Sequence, residues 1–375
     1  MKRPLSVLAA LLILGALPFP ARARTKLAAL PEREAVAVRL DNPRGTLIEE
    51  ERVLTLQEGE NTVDFSWRGV NLDPDSVRIA FLGHPGGVKV LSVSYPPGEP
   101  ALVWRLTAGG PWEEKVRITY LLSNIDRLIS YRGVAAKDEK TLELTAHLIL
   151  RNFSGEDFGS AKVDSGLGAP FETPSLNEET RKILYFTRPK VPVRKILTWD
   201  AASKPWEPKR QESAVGIPVQ YELQNTVEGG LGTGILWDGK FRVYQDDGRG
   251  GTIFLGENRA ELTPVGKKMR IMLGESRDVQ VTQFKKRELM VNPRPSRQKV
   301  VLYDTDELVE TEVENFKDAA VTLEVVEHVP GEWAMKETSA KYVKKDNNTL
   351  VFTLELAPKA KVGFTYSYSR RNVRR

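Results

Sequence analysis

Apolar and polar residues alternate along most of this chain, and a period of two residues is typical of β-strands with one buried face. The alternation is clearest between Val219 and Gln283, where Val219, Tyr221 and Leu223 alternate with polar neighbours. The Asp- and Gly-rich run 246–251 lies between two further short strands. Gly and Asp tolerate the backbone angles of tight strand reversals, so this run predicts a hairpin turn.

The same pattern continues on both sides of that stretch. Residues 142–150 carry an apolar side chain at every even position, and they predict a long half-buried strand. No part of the mature chain shows a sustained helical period, and one or two short helices are predicted, for instance from Asn177 to Leu184. The sequence therefore predicts an all-β protein made of several antiparallel β-sandwich or barrel-like units, the last one immunoglobulin-like, with little helix.

Clusters of proline and glycine suggest how the chain is divided. Residues 1–23 are a predicted signal peptide and residues 24–115 an N-terminal β-domain. A central β-domain follows at 116–292. The last segment, 293–375, carries five predicted strands, which suit an immunoglobulin-like sandwich ending in a basic tail. Residues 200–213 are rich in Pro, Lys, Glu and Ser, which predicts a long exposed loop.

The first residues resemble a secretory signal. Lys2 and Arg3 precede an apolar run at 5–17, and Ala-Arg-Ala follows at 21–23, so the mature chain is predicted to begin at Arg24. The apolar run is short for a membrane span, although an uncleaved anchor is the alternative. We expect an exported protein, periplasmic or on the cell surface, with no transmembrane segment in its mature part.

Cysteine is absent and the net charge is small. The lack of cysteine excludes disulfides, thiol catalysis and cysteine-ligated metals. The formal charge of +5 falls to +2 once the three cations of the predicted signal are removed. A near-neutral exported chain does not favour nucleic-acid binding.

Metal and nucleophile motifs are not apparent. The three histidines, His84, His147 and His328, have no chelating spacing, and no serine lies in a G-x-S-x-G elbow. The glycine clusters at 229–232 and 248–251 neither lead into a helix nor end in G-K-[ST], so they are interpreted as turns. No catalytic residue, metal ligand or cofactor is predicted.

Carboxylate pairs leave an enzyme open as the alternative. Asp246 with Asp247, or Glu257 with Glu261, could serve a glycoside hydrolase, which needs two carboxylates across the scissile bond. Adjacent aspartates in a turn more often cap backbone groups. Calcium binding at the same turn is also left open, although the ligand spacing of a calcium loop is lacking.

Tryptophan supplies the only candidate recognition surface. Most of the seven tryptophans suit core packing. Trp206 and Trp237 lie in polar or glycine-rich segments, where an exposed ring could contact a ligand such as a carbohydrate.

An ordered set of short motifs resembles the mucoidy-inhibitor-A-like family of bacterial proteins, which end in a β-rich domain of unknown function. The resemblance covers about Val116 to Arg371, with further likeness at 54–61 and 72–78. Its motifs are Tyr120-Leu-Leu-Ser-Asn with Tyr131, Asn152-Phe-Ser-Gly-Glu-Asp-Phe158, Gly230-Leu-Gly, Gly239-Lys-Phe-Arg-Val-Tyr, Leu255-Gly-Glu and Leu273-Gly-Glu.

This chain departs from the family in several ways. Phe158 replaces a tryptophan, Leu236-Trp-Asp-Gly replaces L-P-x-G, and the usual Trp and Pro before Tyr120 are missing, as is the family's heptad-bearing coiled coil. The resemblance implies no enzyme activity and no catalytic residues.

Together these observations predict an exported, non-enzymatic β-sandwich protein that acts as an envelope scaffold or binding module. Its partner would be an envelope protein or a glycan, and the sequence does not indicate an oligomeric state. The alternatives are a glycoside-hydrolase-type enzyme that uses paired carboxylates and a carbohydrate-binding module.

Overall fold

The computed structural model describes residues 30–42, 44–203, 210–212, 216–296 and 299–374. The predicted signal peptide and Trp206 lie outside the described residues. In these ranges, two short 3-10 helices, Pro74–Ser76 and Ala201–Ser203, accompany 25 strands. The strands are β1 (Ala35–Arg39), β2 (Thr46–Leu56), β3 (Gly59–Ser66), β4 (Arg78–Phe81), β5 (Val88–Ser94), β6 (Ala101–Ala108), β7 (Trp112–Leu122), β8 (Ile125–Ala135), β9 (Thr141–Asn152), β10 (Phe158–Asp164), β11 (Phe171–Ser175), β12 (Glu179–Pro192), β13 (Arg194–Asp200), β14 (Arg210–Glu212), β15 (Ile217–Gln224), β16 (Gly239–Asp246), β17 (Thr252–Ala260), β18 (Lys268–Ser276), β19 (Val279–Ser296), β20 (Lys299–Asn315), β21 (Val321–His328), β22 (Glu332–Thr338), β23 (Tyr342–Lys344), β24 (Thr349–Leu356) and β25 (Lys361–Arg374). The all-β prediction is confirmed.

The chain divides into two compact units. Unit 1 comprises residues 1–125 and 152–178, and unit 2 comprises 126–151 and 179–375. This division differs from the three predicted domains. The expected boundary at 115/116 lies inside β7, and that at 292/293 lies inside β19. Neither place can separate two folded parts, because strand pairing continues through both.

Unit 1 contains two sheets. Sheet A has the order β11-β10-β1-β2-β7-β4, and sheet B has the order β3-β6-β5. Along β2, buried side chains occupy every second position, as the alternation requires. The two sheets pack face to face: the ring of Phe65 on sheet B lies 5.6 Å from that of Tyr120 on sheet A. Ile48, Val116 and Ile118 are fully buried in sheet A.

Unit 2 contains three sheets. Sheet C has the order β12-β9-β8-β16-β17, sheet D the order β18-β15-β13-β21-β24-β23, and sheet E the order β14-β19-β20-β25-β22. Sheets D and E enclose one apolar core, which includes Trp199, Phe352 and Tyr366. The sandwich expected at the C-terminal end is therefore present, but it draws strands from residues 194–224 as well as from 293–375.

Several local predictions are confirmed. The even positions of β9 from Leu142 to Leu150 are all buried. The run 246–251 joins β16 to β17 as an antiparallel hairpin. In the predicted loop at 200–213, residues 201–203 form a 3-10 turn and 210–212 form β14, while 204–209 and 213 lie outside the described residues.

Three local predictions are wrong or incomplete. The helix expected from Asn177 to Leu184 is instead a turn followed by β12. Glu178 has a φ of 61°, which a right-handed helix does not allow, and β12 pairs with β9 in sheet C. Two of the five strands predicted in 293–375, at 300–303 and 310–314, are parts of one strand, β20. The prediction of a basic tail is incomplete, because residues 370–374 continue strand β25; Arg375 lies outside the described residues.

Candidate functional site

A broad groove lies over the outer face of sheet D in unit 2. Its volume is about 1220 Å³, and it is lined by residues of β13, β15, β18, β21 and β24, the segment 258–267 and the turn near Asp346. Strand alternation produces the two faces of this sheet. Leu323 and Val325 enter the core shared with sheet E, whereas Glu324, Val326 and His328 point to the groove.

Lys268, Arg270 and Glu324 form the floor of the groove, and the buried Glu222 lies beneath it as the ion-pair partner of both cations. The Arg270 guanidinium contacts both oxygens of Glu324, at 2.8 and 2.9 Å, and it also donates to Glu222 Oε2 at 2.7 and 3.0 Å. Lys268 Nζ lies 2.8 Å from Glu222 Oε1. The Glu222 side chain is 2% exposed and that of Glu324 is 10% exposed. Two buried carboxylates, one on β15 and one on β21, are thus neutralised by two cations on the edge strand β18.

The electrostatics of Glu222 follow from these contacts. Burial acts to raise the pKa of its carboxyl, but the hydrogen bonds from Lys268 and Arg270 outweigh burial and hold the pKa below its ordinary value. Glu222 therefore stays ionised at neutral pH and cannot donate a proton to a substrate. The pKa of Arg270 is raised by Glu324 and Glu222 despite the opposing effect of burial.

The rim of the groove carries charges of both signs. His328 Nε2 lies 3.1 Å from Asp200 Oδ2, and His328 Nδ1 lies 3.4 Å from the Thr349 hydroxyl. The other charged rim residues are Glu261, Asp346, Arg194, Arg259, Lys267 and Lys345. The described lining contains no aromatic ring other than the His328 imidazole.

Asn225, which is 1% exposed, fixes the loops behind one wall of the groove. Its amide nitrogen donates to the carbonyls of Gly234 and Thr263, both at 3.0 Å, and its oxygen accepts from the Gly232 N–H at 2.9 Å. Leu236 and Thr263 add a pair of backbone hydrogen bonds. The glycine-rich loop therefore supports the wall. Gly232 adopts a φ of 83° in this loop, a backbone conformation that glycine readily allows.

Two tryptophans are predicted to form a recognition surface, and of these Trp237 lies within the described residues. It lies behind this wall. Its carbonyl accepts a hydrogen bond from the Tyr131 hydroxyl at 2.8 Å, and the Arg127 guanidinium lies 5.7 Å from its ring centroid. The next residue, Asp238, pairs with Arg259 of the rim at 2.7 Å. The half-buried Trp237 ring does not line the groove.

The carboxylates considered for catalysis serve other contacts. Asp246 Oδ1 accepts from the Gly248 N–H, and Asp247 Oδ1 accepts from the Arg249 and Gly251 N–H groups, so both cap the hairpin turn. Glu257 pairs with Lys240 and Arg242 on the exposed face of sheet C, and hydrogen bonds from these two cations lower its pKa. Glu261 lies on the groove rim.

Of the remaining histidines, His84 is engaged in local contacts, whereas the buried His147 Nδ1 has no hydrogen-bond partner among the described residues. His84 stacks on Trp112 with ring centroids 4.3 Å apart and lies 2.8 Å from Glu114. Burial and Lys182 lower the pKa of His147. Within the described ranges, no group of three or more His, Asp or Glu side chains is placed to hold a metal ion.

Sequence reasoning missed the groove floor. Glu222, Arg270 and Glu324 come from three strands spread over a hundred residues, and their contact depends on sheet order. The available signal was a charged residue at the polar position of each strand, which is common on any solvated sheet.

Comparison with known proteins does not assign this chain to a family. No protein-family model matches the chain, and no curated protein matches it significantly. In the described residues, none of the helices has the length and apolar character needed to cross a membrane.

Proposed function

We propose that this protein is an exported, non-enzymatic envelope protein, periplasmic or on the cell surface, whose groove on sheet D binds an extended peptide segment of a partner protein. The observation that carries the proposal is the groove of about 1220 Å³, which lies across a sheet whose floor is held in place by ion pairs. The motif resemblance to the mucoidy-inhibitor-A-like family agrees with a β-rich envelope protein, and membership of that family is part of the proposal.

The contacts of the floor favour binding over chemistry. A general acid needs a carboxyl that keeps its proton near neutral pH, usually in an apolar environment. Glu222 is instead held ionised by Lys268 and Arg270. A prearranged charged floor offers fixed hydrogen-bonding groups to a ligand at little conformational cost.

The chemistry of the rim favours a peptide over a glycan. Sugar rings are commonly held by aromatic faces, and only the His328 imidazole ring lines the described groove. Acidic and basic rim residues are interspersed, which suits a partner carrying both signs of charge. Met272, Val326 and Val351 supply apolar contacts between them.

Site-specific photo-crosslinking in the native envelope tests the proposal. A photoreactive amino acid is placed at Val343, which lines the groove and is 69% exposed, and separately at Val227, which is 75% exposed and not among the groove-lining residues. Both positions are exposed valines of unit 2. We expect a discrete crosslinked protein from the Val343 variant alone. Equal products from both positions would contradict a specific groove.

The enzyme alternative is tested with the purified mature protein on envelope polysaccharides. We expect no turnover. Turnover that is lost in an Asp246→Asn or Glu257→Gln variant would replace the binding proposal with a glycoside hydrolase.

A further inference from the structure

The outer face of sheet C in unit 2 carries an exposed patch that is separate from the groove on sheet D. Phe241 and Val243 of β16 are fully buried, so strand alternation turns their neighbours Lys240, Arg242 and Tyr244 outward. None of these three outward residues lines the groove. What binds on this face is therefore independent of the peptide proposed for the groove.

Strand register places outward side chains of three strands in rows. Arg132 of β8 lies opposite Arg242, and Arg242 lies opposite Glu257 of β17. In the next row, Tyr244 lies opposite Phe254. Residues directly opposite each other point to the same face of a sheet. The sheet C patch is defined as Arg132, Lys240, Arg242, Tyr244, Phe254 and Glu257.

The patch has an aromatic part. The rings of Tyr244 and Phe254 are 5.5 Å apart, and the Arg132 guanidinium lies 5.0 Å from the centroid of the Tyr244 ring. Phe254 is 56% exposed, so its ring is open to a ligand. An apolar ring face of this kind matches the C–H surface of a sugar, and it is what the groove lacks.

The patch also has a cation without a counterion. Glu257 serves both Lys240 and Arg242, at 3.0 and 2.7 Å. Among the described residues, Arg132 forms no ion pair with an acidic side chain. Adjacent strands are about 4.8 Å apart, so the opposite charges of Arg132 and Arg242 are of like sign and repel each other. A carboxylate that accepts hydrogen bonds from both guanidinium groups would remove this repulsion.

The acids that border the patch do not take this role. The hairpin turn adds Asp246 and Asp247, but it also adds Arg249 and places Lys137 close by, so it leaves the net charge unchanged. Glu143 lies on the same face, because the even positions of β9 are buried, and it pairs with none of the described cations. The three cations of the patch therefore face two acids, and the guanidinium pair remains open to an external anion.

We propose that the sheet C patch binds an acidic polysaccharide, with a sugar ring on Phe254 and a uronate carboxylate between Arg132 and Arg242. The guanidinium fork matches the planar shape of a carboxylate. The open sheet face lets a polymer continue beyond both ends of the patch.

Isothermal calorimetry of the purified mature protein with oligogalacturonate tests this proposal. Dextran of similar length is the probe without charge, and linear polyphosphate is the probe without sugar rings. We expect oligogalacturonate to bind at least tenfold more tightly than either. Equal binding of dextran would show that charge is not recognised, and equal or tighter binding of polyphosphate would show that the sugar ring is not recognised. Either result, or no binding of oligogalacturonate, would overturn the proposal.

Variants of exposed side chains locate the binding. Arg132→Gln should weaken oligogalacturonate at least fivefold, whereas Arg371→Gln removes the same charge from another exposed arginine of unit 2 and should leave the affinity unchanged. Phe254→Ala should weaken oligogalacturonate at least fivefold and leave polyphosphate unchanged. Equal losses in Arg132→Gln and Arg371→Gln would indicate general charge attraction, and an unchanged affinity in Phe254→Ala would exclude the stacked ring; both would refute the site.

Discussion

The buried Glu50 carboxylate makes the strongest stability prediction for unit 1. Its side chain is 0% exposed, and it joins Arg33 at 2.5 Å to Arg52 at 2.9 Å, with the Tyr120 hydroxyl donating to it at 3.3 Å. Glu50→Gln removes the charge but keeps the shape, so both guanidinium groups lose their shared counterion. Breaking a buried ion pair from one side costs about 3–5 kcal/mol, because the partner's charge stays buried.

The expected loss in melting temperature follows from this free energy. For a unit of this size, 1 kcal/mol corresponds to a shift of about 2–4 °C, so Glu50→Gln should lower the melting temperature of unit 1 by roughly 6–20 °C. Urea unfolding followed by fluorescence measures the free energy of unfolding. Hydrogen exchange with mass spectrometry assigns the loss to β2 and β7.

Glu60→Gln is the matched control in the same unit. Glu60 pairs with Arg105 at 2.7 Å, but the two side chains are 63% and 54% exposed. Exposed pairs contribute about 0–1 kcal/mol, so this variant should unfold almost as the parent protein does. Equal losses in Glu50→Gln and Glu60→Gln would refute the argument that burial determines the cost.

Two further predictions concern a glycine contact and acid stability. Gly155→Ala should destabilise unit 1 far more than Gly98→Ala. Both glycines have a positive φ, but an added Cβ at Gly155 would lie 2.0 Å from the Gly69 carbonyl oxygen, whereas at Gly98 it would meet no atom within 4 Å; similar urea midpoints would contradict this. The pKa of Glu222 is lowered in the fold, so its ion pairs stabilise unit 2 fully above the ordinary glutamate pKa of 4.5, and this stability is lost as pH falls through the lower folded pKa. Glu222→Gln should reduce the free energy of unfolding at pH 7 and make it fall less steeply as the pH becomes acid. Parallel curves of unfolding free energy against pH for the variant and the parent protein would contradict that reasoning.

Local patterns predicted the elements of the fold that depend on neighbours in sequence. The strand at 142–150 needs only one buried face, and its even positions are buried in β9. The hairpin at 246–251 needs only turn chemistry, which Asp247 supplies by accepting from two backbone N–H groups. Both features follow from residues within about ten positions of each other.

Features that depend on the order of strands in a sheet could not be predicted from local sequence patterns. β13 pairs in parallel with β21, more than a hundred residues later, and this pairing merges the predicted central domain with the C-terminal one. Residues 177–184 carry helix-compatible side chains, but the partner strand β9 decides their conformation. The groove floor depends on the same long-range order, so Glu222 and Glu324 could not be brought together from spacing.

The residues that carry the family resemblance make structural contacts, and these contacts account for the residue types without a catalytic role. In the motif 152–158, Asn152 accepts from the backbone N–H and hydroxyl of Ser154 and donates to the carbonyls of Glu156 and Ser175, so it holds the turn between two strands. Glu156 pairs with Arg33, whose guanidinium also lies 5.5 Å from the ring centroid of the buried Phe158.

The two Leu-Gly-Glu motifs also have a structural explanation. Gly256 of one Leu-Gly-Glu motif has no room for a side chain, because an added Cβ would lie 2.8 Å from the carbonyl oxygen of Leu273 in the other. The two motifs are thus fixed by close backbone approach between β17 and β18. The motif glycines and Asn152 therefore specify turns and strand packing, whereas the proposed groove contacts lie outside the motifs. Substitutions of these motif residues should change stability, and substitutions of exposed groove residues should change binding.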